Sequence, residues 1–542
     1  MATNPSAVAA GSKPTYVPEG ELHRDIDWTH AFWVASGVPA LVLFSIGAIA
    51  ATVGKPSALV WFISVMFGFL QAFTYAEIAG MYPEKSGGAS VYGAMAWVRY
   101  SKIIAPLSVW CNWLAWTPVL AIGTGLAAGY ILTGLFPADA VINTWQLTLV
   151  DLGAVKEGLT LRVNAQFVLG AVILLCIFAI QHHGILKAAR LQMIAAIAAL
   201  VPLTIIGLVP LITGDIVSSN FLPLVPLAYD PTGNIIDGAW DAHGWTLFLG
   251  GLFIAAWSAY AFETSICYTS EFKHPEKDTF KAIFYSGLLC IAVYTLVPFS
   301  FQGFFGTEGL VDPRILAGTG VASAMAEMVG GGAIIRNILV VMLVLALLMA
   351  IMTSMAGSSR TLYQGSLDGW LPRYLGKANK HGAPTRAMWT DLSFNMILLL
   401  MSDYVFLLAV SNATYIIFNF LNLNSGWIHR MDRADWYRPF RCPTWLLAVG
   451  GVLAFVNAIL LGAGAGVWGE NTLLVSIIVA ALILPVFWFR HYVQDKGQFP
   501  IRGQAELERE GKVELRAGIL PWFAVAAGVI LVIVSHQFAV YE

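Results

Sequence analysis

The chain has 542 residues, of which 58% are hydrophobic and only 11% are charged. Soluble globular domains carry about 25% charged residues, so this composition excludes a soluble enzyme and indicates a polytopic membrane protein. The formal net charge of −2 gives no sign of a nucleic-acid partner, and we expect none. We expect the chain to lie in the lipid bilayer of the cell membrane.

Thirteen apolar segments predict membrane-spanning helices, since a span needs about 20 apolar residues. The expected fold class is therefore an all-α polytopic membrane protein with about 12 to 13 helices. Between the ninth and tenth segments only Ser402 and Asp403 interrupt the apolar run. The segments are 31–53, 57–80, 103–134, 164–181, 190–213, 245–269, 281–305, 333–356, 386–402, 405–428, 443–466, 471–491 and 517–538.

The distribution of Lys and Arg predicts the orientation in the membrane. If the N-terminus is cytoplasmic, 25 of the 30 basic residues lie in cytoplasmic loops and tails. The remaining five lie outside; they are Lys55, Lys156, Arg162, Arg314 and Arg336. We therefore expect a cytoplasmic N-terminus, in an inner or plasma membrane.

Two spans that lie five apart carry interruptions near their middles. In the first, Gly37 and Pro39 fall two residues apart, and Pro39 lacks an N–H and collides with the preceding turn. In the sixth, Glu263 places a carboxylate at mid-membrane, where it should face a cavity or a partner. Interrupted helices at matching places are typical of inverted-repeat transporters, with the solute held at the breaks. The alternatives are a plain proline kink and a structural glutamate.

Several separate stretches resemble one family, the amino acid–polyamine–organocation transporter superfamily. The likeness covers about residues 28–491 and is carried mostly by motifs at predicted cytoplasmic helix ends. The matching stretches are 75–92, Phe262-Glu263 with 271–277 and 282–283, 359–363 with 368–372 and 382–384, and 438–443.

The resemblance implies two inverted five-helix repeats with interrupted first and sixth helices, and alternating access to a central site. The implied regions are a cytoplasmic tail 1–30, repeats 31–213 and 245–428, peripheral helices 443–491, a cytoplasmic loop 494–516 and an extra helix 517–538. The implied substrate positions are Ser36, Gly37, Val38, Pro39, Ala40, Trp116, Leu120, Trp257, Ser258, Tyr260 and Glu263.

The sequence departs from the family pattern at three places. The first break has one glycine, and Pro39 removes an N–H that would help to bind a substrate carboxylate. This departure leaves room for an amine or a larger organic substrate, and Glu263 could bind the ammonium of an amine beside Trp257 and Tyr260. The fifth span, along 192–200, lacks the lysine that proton-coupled members often carry. The sixth break has alanines, not a glycine.

The coupling mechanism stays open between three readings. Thr353 and Ser354 of the eighth span stand where sodium-coupled relatives of this fold bind Na⁺, although such hydroxyls often bond their own helix. Glu263 is a protonatable alternative, and exchange or facilitated flux is the third. We expect no cofactor or metal centre beyond a coupling ion, H⁺ or Na⁺.

The function predicted from these residues is secondary active transport of an amino acid or a related amine. Alternatives are a polyamine or organocation exchanger, and a transporter-like nutrient sensor that binds without transporting. We do not expect an enzyme, because motifs for zinc proteases, phosphate-binding loops and nucleophile elbows are missing from the sequence. The substrate and the oligomeric state stay undetermined.

Overall fold

The computed structural model describes residues 21–137, 139–316, 318, 320–500 and 513–541. The predicted tail 1–30 and loop 494–516 therefore lie partly outside the described residues. Within the described residues, eleven helical segments are long and apolar enough to cross a membrane. They are Trp28–Val53, Ser57–Gly80, Ile104–Leu135, Ile185–Gly207, Ala242–Glu271, Pro275–Leu310, Ala333–Leu367, Tyr404–Asp432, Thr444–Trp468, Thr472–Gln494 and Leu520–Phe538.

The other two predicted spans are also helices, but they are shorter. Ala165–Gln181 has 17 residues and Thr385–Leu398 has 14. The second stops early because the chain turns, and the Ser402 amide then bonds the carbonyl oxygen of Thr160 at 2.9 Å. Asp403 caps the next helix through the amides of Val405 and Phe406. The all-α polytopic fold predicted from the sequence is confirmed.

The α-helices are numbered in chain order as follows. They are α1 (Trp28–Ala35), α2 (Val42–Val53), α3 (Ser57–Gly80), α4 (Ala89–Trp97), α5 (Ile104–Trp116), α6 (Pro118–Leu135), α7 (Val141–Thr144), α8 (Ala165–Gln181), α9 (Ile185–Ala195), α10 (Val201–Gly207), α11 (Val209–Thr213), α12 (Ala242–Ala259), α13 (Pro275–Leu310), α14 (Pro313–Leu316), α15 (Val321–Met328), α16 (Ala333–Leu367), α17 (Thr385–Leu398), α18 (Tyr404–Asp432), α19 (Thr444–Ile459), α20 (Thr472–Ala481), α21 (Ile483–Trp488) and α22 (Leu520–Phe538).

Shorter elements complete the chain. The 3₁₀ segments are Pro39–Leu41, Ser218–Asn220, Ala261–Glu271, Arg373–Leu375 and Ala465–Trp468, and the π segments are Ala196–Leu200, Leu460–Gly464 and Phe489–Gln494. Two antiparallel hairpins lie in loops between spans, β1 (Gln146–Asp151) with β2 (Thr160–Asn164), and β3 (Leu227–Tyr229) with β4 (Ile235–Asp237).

The spans that position the two breaks form two packed groups. The first group, which we call the core bundle, contains α1, α2, α3, α12 and α13, which contact one another. The second, which we call the scaffold, contains α5, α6, α8, α16 and α17. The core bundle thus holds the first, second, sixth and seventh spans, and the scaffold holds the third, fourth, eighth and ninth.

The first span begins at a capped terminus. The side chain of Asp27 accepts hydrogen bonds from the amides of Thr29 at 2.9 Å and His30 at 3.2 Å, which satisfies two free N–H groups of α1. Partial burial opposes ionisation of this carboxyl group, but hydrogen bonds from Thr29 and His30 outweigh it and lower the pKa of Asp27 to about 2.

Two buried ion pairs join the core bundle to the scaffold at one end of the molecule. The Arg360 guanidinium of α16 makes a bidentate pair with the Glu271 carboxylate, at the end of the sixth span. Lys85, which follows α3, contacts Asp368 after α16 with an Nζ–Oδ1 distance of 2.6 Å. We call this end, where the loops 81–88, 271–274 and 368–384 lie, the basic end. Here the two groups of helices are locked together.

A third buried carboxylate at the basic end lies in the stretch 75–92, at the end of α3. Glu77 of α3 accepts hydrogen bonds from Arg430 Nε at 2.5 Å, Arg438 Nε at 2.9 Å and the Cys442 amide at 2.8 Å. These contacts tie the second span to the tenth and to the segment before the eleventh. The motif 438–443 therefore fastens helix ends together.

Candidate functional site

The first break is a change of hydrogen-bond pattern around Pro39. Helix α1 ends at Ala35, and the amide of Val38 bonds the carbonyl oxygen of Ala35 at 3.0 Å, three residues back. Because Val38 turns to this oxygen, the carbonyl of Val34 loses its usual helical partner. The chain continues as a short 3₁₀ turn, Pro39–Leu41. The interruption predicted for the first span is therefore present, as a tightened turn.

The freed carbonyl of Val34 is taken up by two neighbouring helices. The Thr353 hydroxyl of α16 donates to it, and Gln192 Nε2 of α9 lies 3.3 Å away. Gly37 permits this close approach, since a Cβ there would lie 2.6 Å from Thr353 Oγ1 and 2.7 Å from the Met349 backbone. The first break is thereby pressed directly against the eighth span.

The sixth break follows Ala259, where α12 ends. Tyr260 has φ −93° and ψ −11°, and the chain continues as a 3₁₀ segment from Ala261 to Glu271. Gly68 of α3 faces this point, because a Cβ there would lie 2.8 Å from Tyr260 Cδ1 and 3.2 Å from the Ala259 carbonyl oxygen. The absence of a side chain at Gly68 on the neighbouring helix therefore allows the sixth break to pack closely against α3.

Glu263 lies in the first turn of that 3₁₀ segment and is 3% exposed. Its Oε1 accepts a hydrogen bond from the Tyr415 hydroxyl at 2.9 Å. Its Oε2 is buried and has no hydrogen-bond partner among the described residues. Burying a carboxylate oxygen without a partner costs several kcal/mol, so this atom is suited to receive a proton or a cationic group.

Tyr415 of α18 connects the sixth break to the third span. Its ring lies edge-on to Trp116 with centroids 6.3 Å apart, and 6.1 Å from the ring of Tyr260. Asn412 and Asn419 on the same helix donate to the Phe253 carbonyl and accept from the Tyr75 hydroxyl, respectively. This face of the tenth span thus forms interhelical hydrogen bonds, and Tyr415 additionally reaches the candidate site.

Unpartnered polar atoms are concentrated on the elements around the sixth break. Most buried polar atoms in proteins are hydrogen-bonded, so such a concentration is suited to binding water or a ligand. Within the described residues, the atoms without a partner on α3, the sixth span and α18 include both amide atoms of Gln71, Trp257 Nε1, Ser265 Oγ, Glu263 Oε2, Asn412 Oδ1 and Asn419 Nδ2.

All of the predicted site residues are buried, and three of them, Trp116, Tyr260 and Glu263, contact Tyr415. Trp116 and Tyr260 lie against Tyr415, and the Ser258 hydroxyl bonds the carbonyl of Ala255 in its own helix. Leu120 lies elsewhere, in an apolar cluster of the scaffold with Leu174, Ile351 and Met355.

The two hydroxyls predicted as ion ligands point to different partners. Thr353 bonds the first break, whereas the Ser354 hydroxyl donates to the Trp116 carbonyl at 2.5 Å. They therefore do not share a partner.

A cavity of about 410 Å³ lies away from the breaks. It is lined by parts of α6, α8, α17 and α18, including Gly125, Gln166 and Tyr404. None of the predicted site residues lines it. The chemistry at Glu263 carries more weight than the size of this cavity, so we place the candidate site at the breaks.

Three contributors were not predicted from the sequence. Gln192 bonds the first break from α9, and the Tyr294 hydroxyl of α13 donates to the Val38 carbonyl at 2.7 Å. Gly68 accommodates the sixth break from α3. The only available signal was the presence of single polar or glycine residues on otherwise apolar helices.

Comparisons with known proteins agree with this architecture. A profile of the amino acid permease family matches residues 26–487. A branched-chain amino acid permease of Lactococcus lactis subsp. cremoris is 22% identical over 437 residues, covering 77% of this chain and 86% of the relative. A polyamine transporter of Oryza sativa subsp. japonica is 23% identical over 429 residues, covering 78% and 69%.

A putative amino-acid transporter of Clostridium perfringens is 22% identical over 444 residues, which cover 79% of this chain and 82% of the relative. The family match spans most of the chain, including both breaks and the motifs of the basic end. This chain therefore belongs to the amino acid permease family of the amino acid–polyamine–organocation superfamily.

Proposed function

We propose that this permease moves an amino acid or a related amine by alternating access, and that Glu263 receives the ammonium group of the substrate. The observation that carries the proposal is the unpartnered, buried Oε2 of Glu263, while Oε1 of the same carboxylate is held by Tyr415. An ammonium group would supply the missing hydrogen-bond donor and the compensating charge. Tyr260, three residues before Glu263, also contacts Tyr415 and provides aromatic surface at the same break.

The first break favours an amine over a substrate that depends on its carboxylate. A carboxylate is best bound by several free backbone N–H groups at a helix break. Here the amides of Ser36 and Val38 bond carbonyls of α1, those of Phe32 and Ala35, and Pro39 has no N–H, which leaves Gly37 and Ala40 as the backbone donors of this stretch. The names of the relatives support both substrate classes, since one is a branched-chain amino acid permease and another is a polyamine transporter.

Alternating access would require the core bundle and the scaffold to separate at the basic end. The pairs Arg360–Glu271 and Lys85–Asp368 cross between these two groups and would break in that step. In the structure described here they are closed. The proposal therefore includes a conformational cycle in which these pairs form and break once per transport event.

The proposal is tested with pairs of ligands that differ only in the carboxylate. Each α-amino acid is compared with the amine that remains when its carboxylate is removed, and polyamines are added to the set. The purified protein is heated with each compound, because a ligand that binds only the folded state raises the midpoint. The compounds that do so are then assayed for uptake into proteoliposomes.

We expect the amine of at least one pair to stabilise the protein and to be taken up. Stabilisation by α-amino acids alone would contradict the proposal of an amine substrate, while transport of an amino acid would still be supported. Binding without uptake in sealed vesicles would favour the alternative of a nutrient sensor.

We also propose that the basic end faces the cytoplasm. This orientation is supported by the 25 of 30 Lys and Arg residues that lie in alternate loops and the tails. Single cysteines introduced at exposed positions of the loop 214–244 should react with an impermeant reagent applied to whole cells, while those at 377–381 should not. The reverse labelling would invert the topology.

A further inference from the structure

Three oxygens from two elements of the chain converge on one nitrogen, the Nε2 of Gln192. They are Thr353 Oγ1 at 3.0 Å, the Met349 carbonyl at 3.1 Å and the Val34 carbonyl at 3.3 Å. Gln192 is completely buried on α9, and its Oε1 has no partner among the described residues. The side-chain amide of Gln192 points its nitrogen at these three oxygens, because the flipped orientation would place its own oxygen against them.

The hydrogen atoms at this point match the acceptors. The amide nitrogen carries two hydrogens, which serve Thr353 Oγ1 and the Met349 carbonyl, and the Thr353 hydroxyl donates to the Val34 carbonyl. All three oxygens are thus satisfied by neutral donors. The Val34 carbonyl needs such donors because the turn before Pro39 has released it from its own helix.

Two carbonyls and a hydroxyl form a set of ligands that a hard cation such as Na⁺ accepts. This is also where the sequence predicted a possible sodium site, at Thr353 and Ser354 with carbonyls of the first span. The residues present do not fit a cation, because the amide nitrogen of Gln192 already lies at the centre of the three oxygens. Ser354, the other predicted ligand, donates instead to the Trp116 carbonyl.

We propose that Gln192 is a positioning residue whose amide takes the place of a coupling cation between the first break and α16. The side chain is attached to the protein and stays neutral at every pH, so it holds the break in place without Na⁺ and without titration. Substrate binding is then independent of Na⁺, and any ion coupling falls to another group. This inference rests on the proposed transport function for its uptake readout, but not for its stability readout.

The test compares the wild type with Gln192→Ala, Gln192→Lys and the control Gln181→Ala. Gln181 is a matched control because its Nε2 also donates to a carbonyl of α16, that of Met352 at 3.0 Å, from a buried position. Thermal midpoints are measured without substrate in NaCl and in choline chloride of equal concentration. Uptake is measured in the same two salts across a range of pH.

We expect the midpoint and uptake of the wild type to be the same in both salts. Gln192→Ala removes the two amide hydrogens that serve Thr353 Oγ1 and the Met349 carbonyl, and it leaves the space between the three oxygens open. Its midpoint therefore falls in choline chloride and is selectively raised by Na⁺. Gln181→Ala is less stable than the wild type but equally so in both salts. In Gln192→Ala the apparent substrate affinity falls by about tenfold in choline chloride, the size of one lost buried hydrogen bond.

Gln192→Lys provides a second variant if the alanine variant does not fold. Its ammonium supplies the cation from the protein, so we expect its midpoint to be the same in NaCl and in choline chloride.

A selective Na⁺ stabilisation of the wild type would overturn the inference. So would a Gln192→Ala variant that behaves like Gln181→Ala in both salts. Failure of the proposed transport function would look different, since uptake of every tested amine and amino acid would be missing while the salt effects on the midpoints would stay measurable.

Discussion

Two buried carboxylates, one in each group of helices, are held in opposite ways. Asp391, on α17 of the scaffold, accepts hydrogen bonds from Trp113 Nε1 at 2.5 Å, Thr117 Oγ1 at 3.0 Å and the Ser358 hydroxyl. Both of its oxygens are satisfied. Glu263, on the core bundle, has one hydrogen bond, from Tyr415, and one oxygen without a partner in the described part of the chain.

The difference separates an anchor from a candidate binding group. A buried polar group that is fully bonded rigidifies its surroundings, while one that is half bonded costs free energy until something else binds it. The three donors of Asp391 come from the third and eighth spans, so its bonds join three helices of the scaffold. The free oxygen of Glu263 lies where a helix is interrupted. The comparison therefore predicts that Asp391 serves stability and Glu263 serves substrate binding.

The largest loss of stability is expected when a second buried carboxylate, Glu271, is left without its partner, as Glu263 Oε2 is in the described part of the chain. Arg360→Ala would leave Glu271 buried with no cation, and breaking such a pair by removing one partner costs about 3–5 kcal/mol. We expect a large fall in the thermal midpoint. Replacing both residues by Met should recover much of it, because no unpaired charge is left. A stable Arg360→Ala variant would show that the basic end tolerates an unpaired carboxylate.

Removing the anchor should be the next most costly change. Asp391→Leu leaves the Trp113 N–H without an acceptor, and one unsatisfied buried donor costs about 1–3 kcal/mol. The midpoint should fall while the substrate affinity of the folded fraction is retained. Asp391→Asn should be nearly neutral, since its oxygen can accept from Trp113 and its amide can donate to Ser358. Loss of substrate binding in Asp391→Asn would place Asp391 in the binding site.

A methyl group at the first break tests its contact with the scaffold. In Gly37→Ala the new Cβ would lie 2.6 Å from Thr353 Oγ1, and such overpacking costs about 1–3 kcal/mol. We expect lower uptake, because the break would be displaced from α16. Gly451→Ala on α19 is the matched control, since its Cβ would meet nothing within 4 Å. Equal uptake by the two variants would mean that transport does not depend on the close approach of Gly37 to α16.

The smallest effect is expected at the single hydrogen bond of Glu263. Tyr415→Phe keeps the ring beside Trp116 and removes the hydroxyl that donates to Oε1. One such bond contributes about 0.5–1.5 kcal/mol, so substrate affinity should change by about tenfold or less. Equilibrium binding measures this change. No change in affinity would mean that Tyr415 is a packing residue only.

The sequence predicted the elements of the fold well, because hydrophobicity and proline act locally. All thirteen apolar segments are helices in the structure, and the interruption at Pro39 lies where its missing N–H required it. Glu263 stood out because a carboxylate in an apolar run is costly. The division into repeats and the assignment of the orientation stay predictions.

The contacts across the site could not be predicted in the same way. Tyr415 and Glu263 are 152 residues apart in the chain, and Gln192 and Val34 are 158 apart. Which side chains meet at such separations depends on how the helices pack and rotate, and composition does not determine either. Leu120 illustrates the same point, since its span carries Trp116 to the site while Leu120, one turn further, packs within the scaffold.

The most direct test of the account compares Glu263→Gln with Asp391→Asn in one binding measurement. Each change removes a charge from a buried carboxylate and keeps its shape. Thermal midpoints are measured with and without a ligand that stabilises the wild type, at a concentration where binding adds about 2.7 kcal/mol, a hundredfold above the dissociation constant. We predict that Glu263→Gln is as stable as the wild type without ligand and gains nothing from it, whereas Asp391→Asn keeps the full gain. A Glu263→Gln variant that is unstable but still stabilised by the ligand would contradict the account and make Glu263 a structural residue.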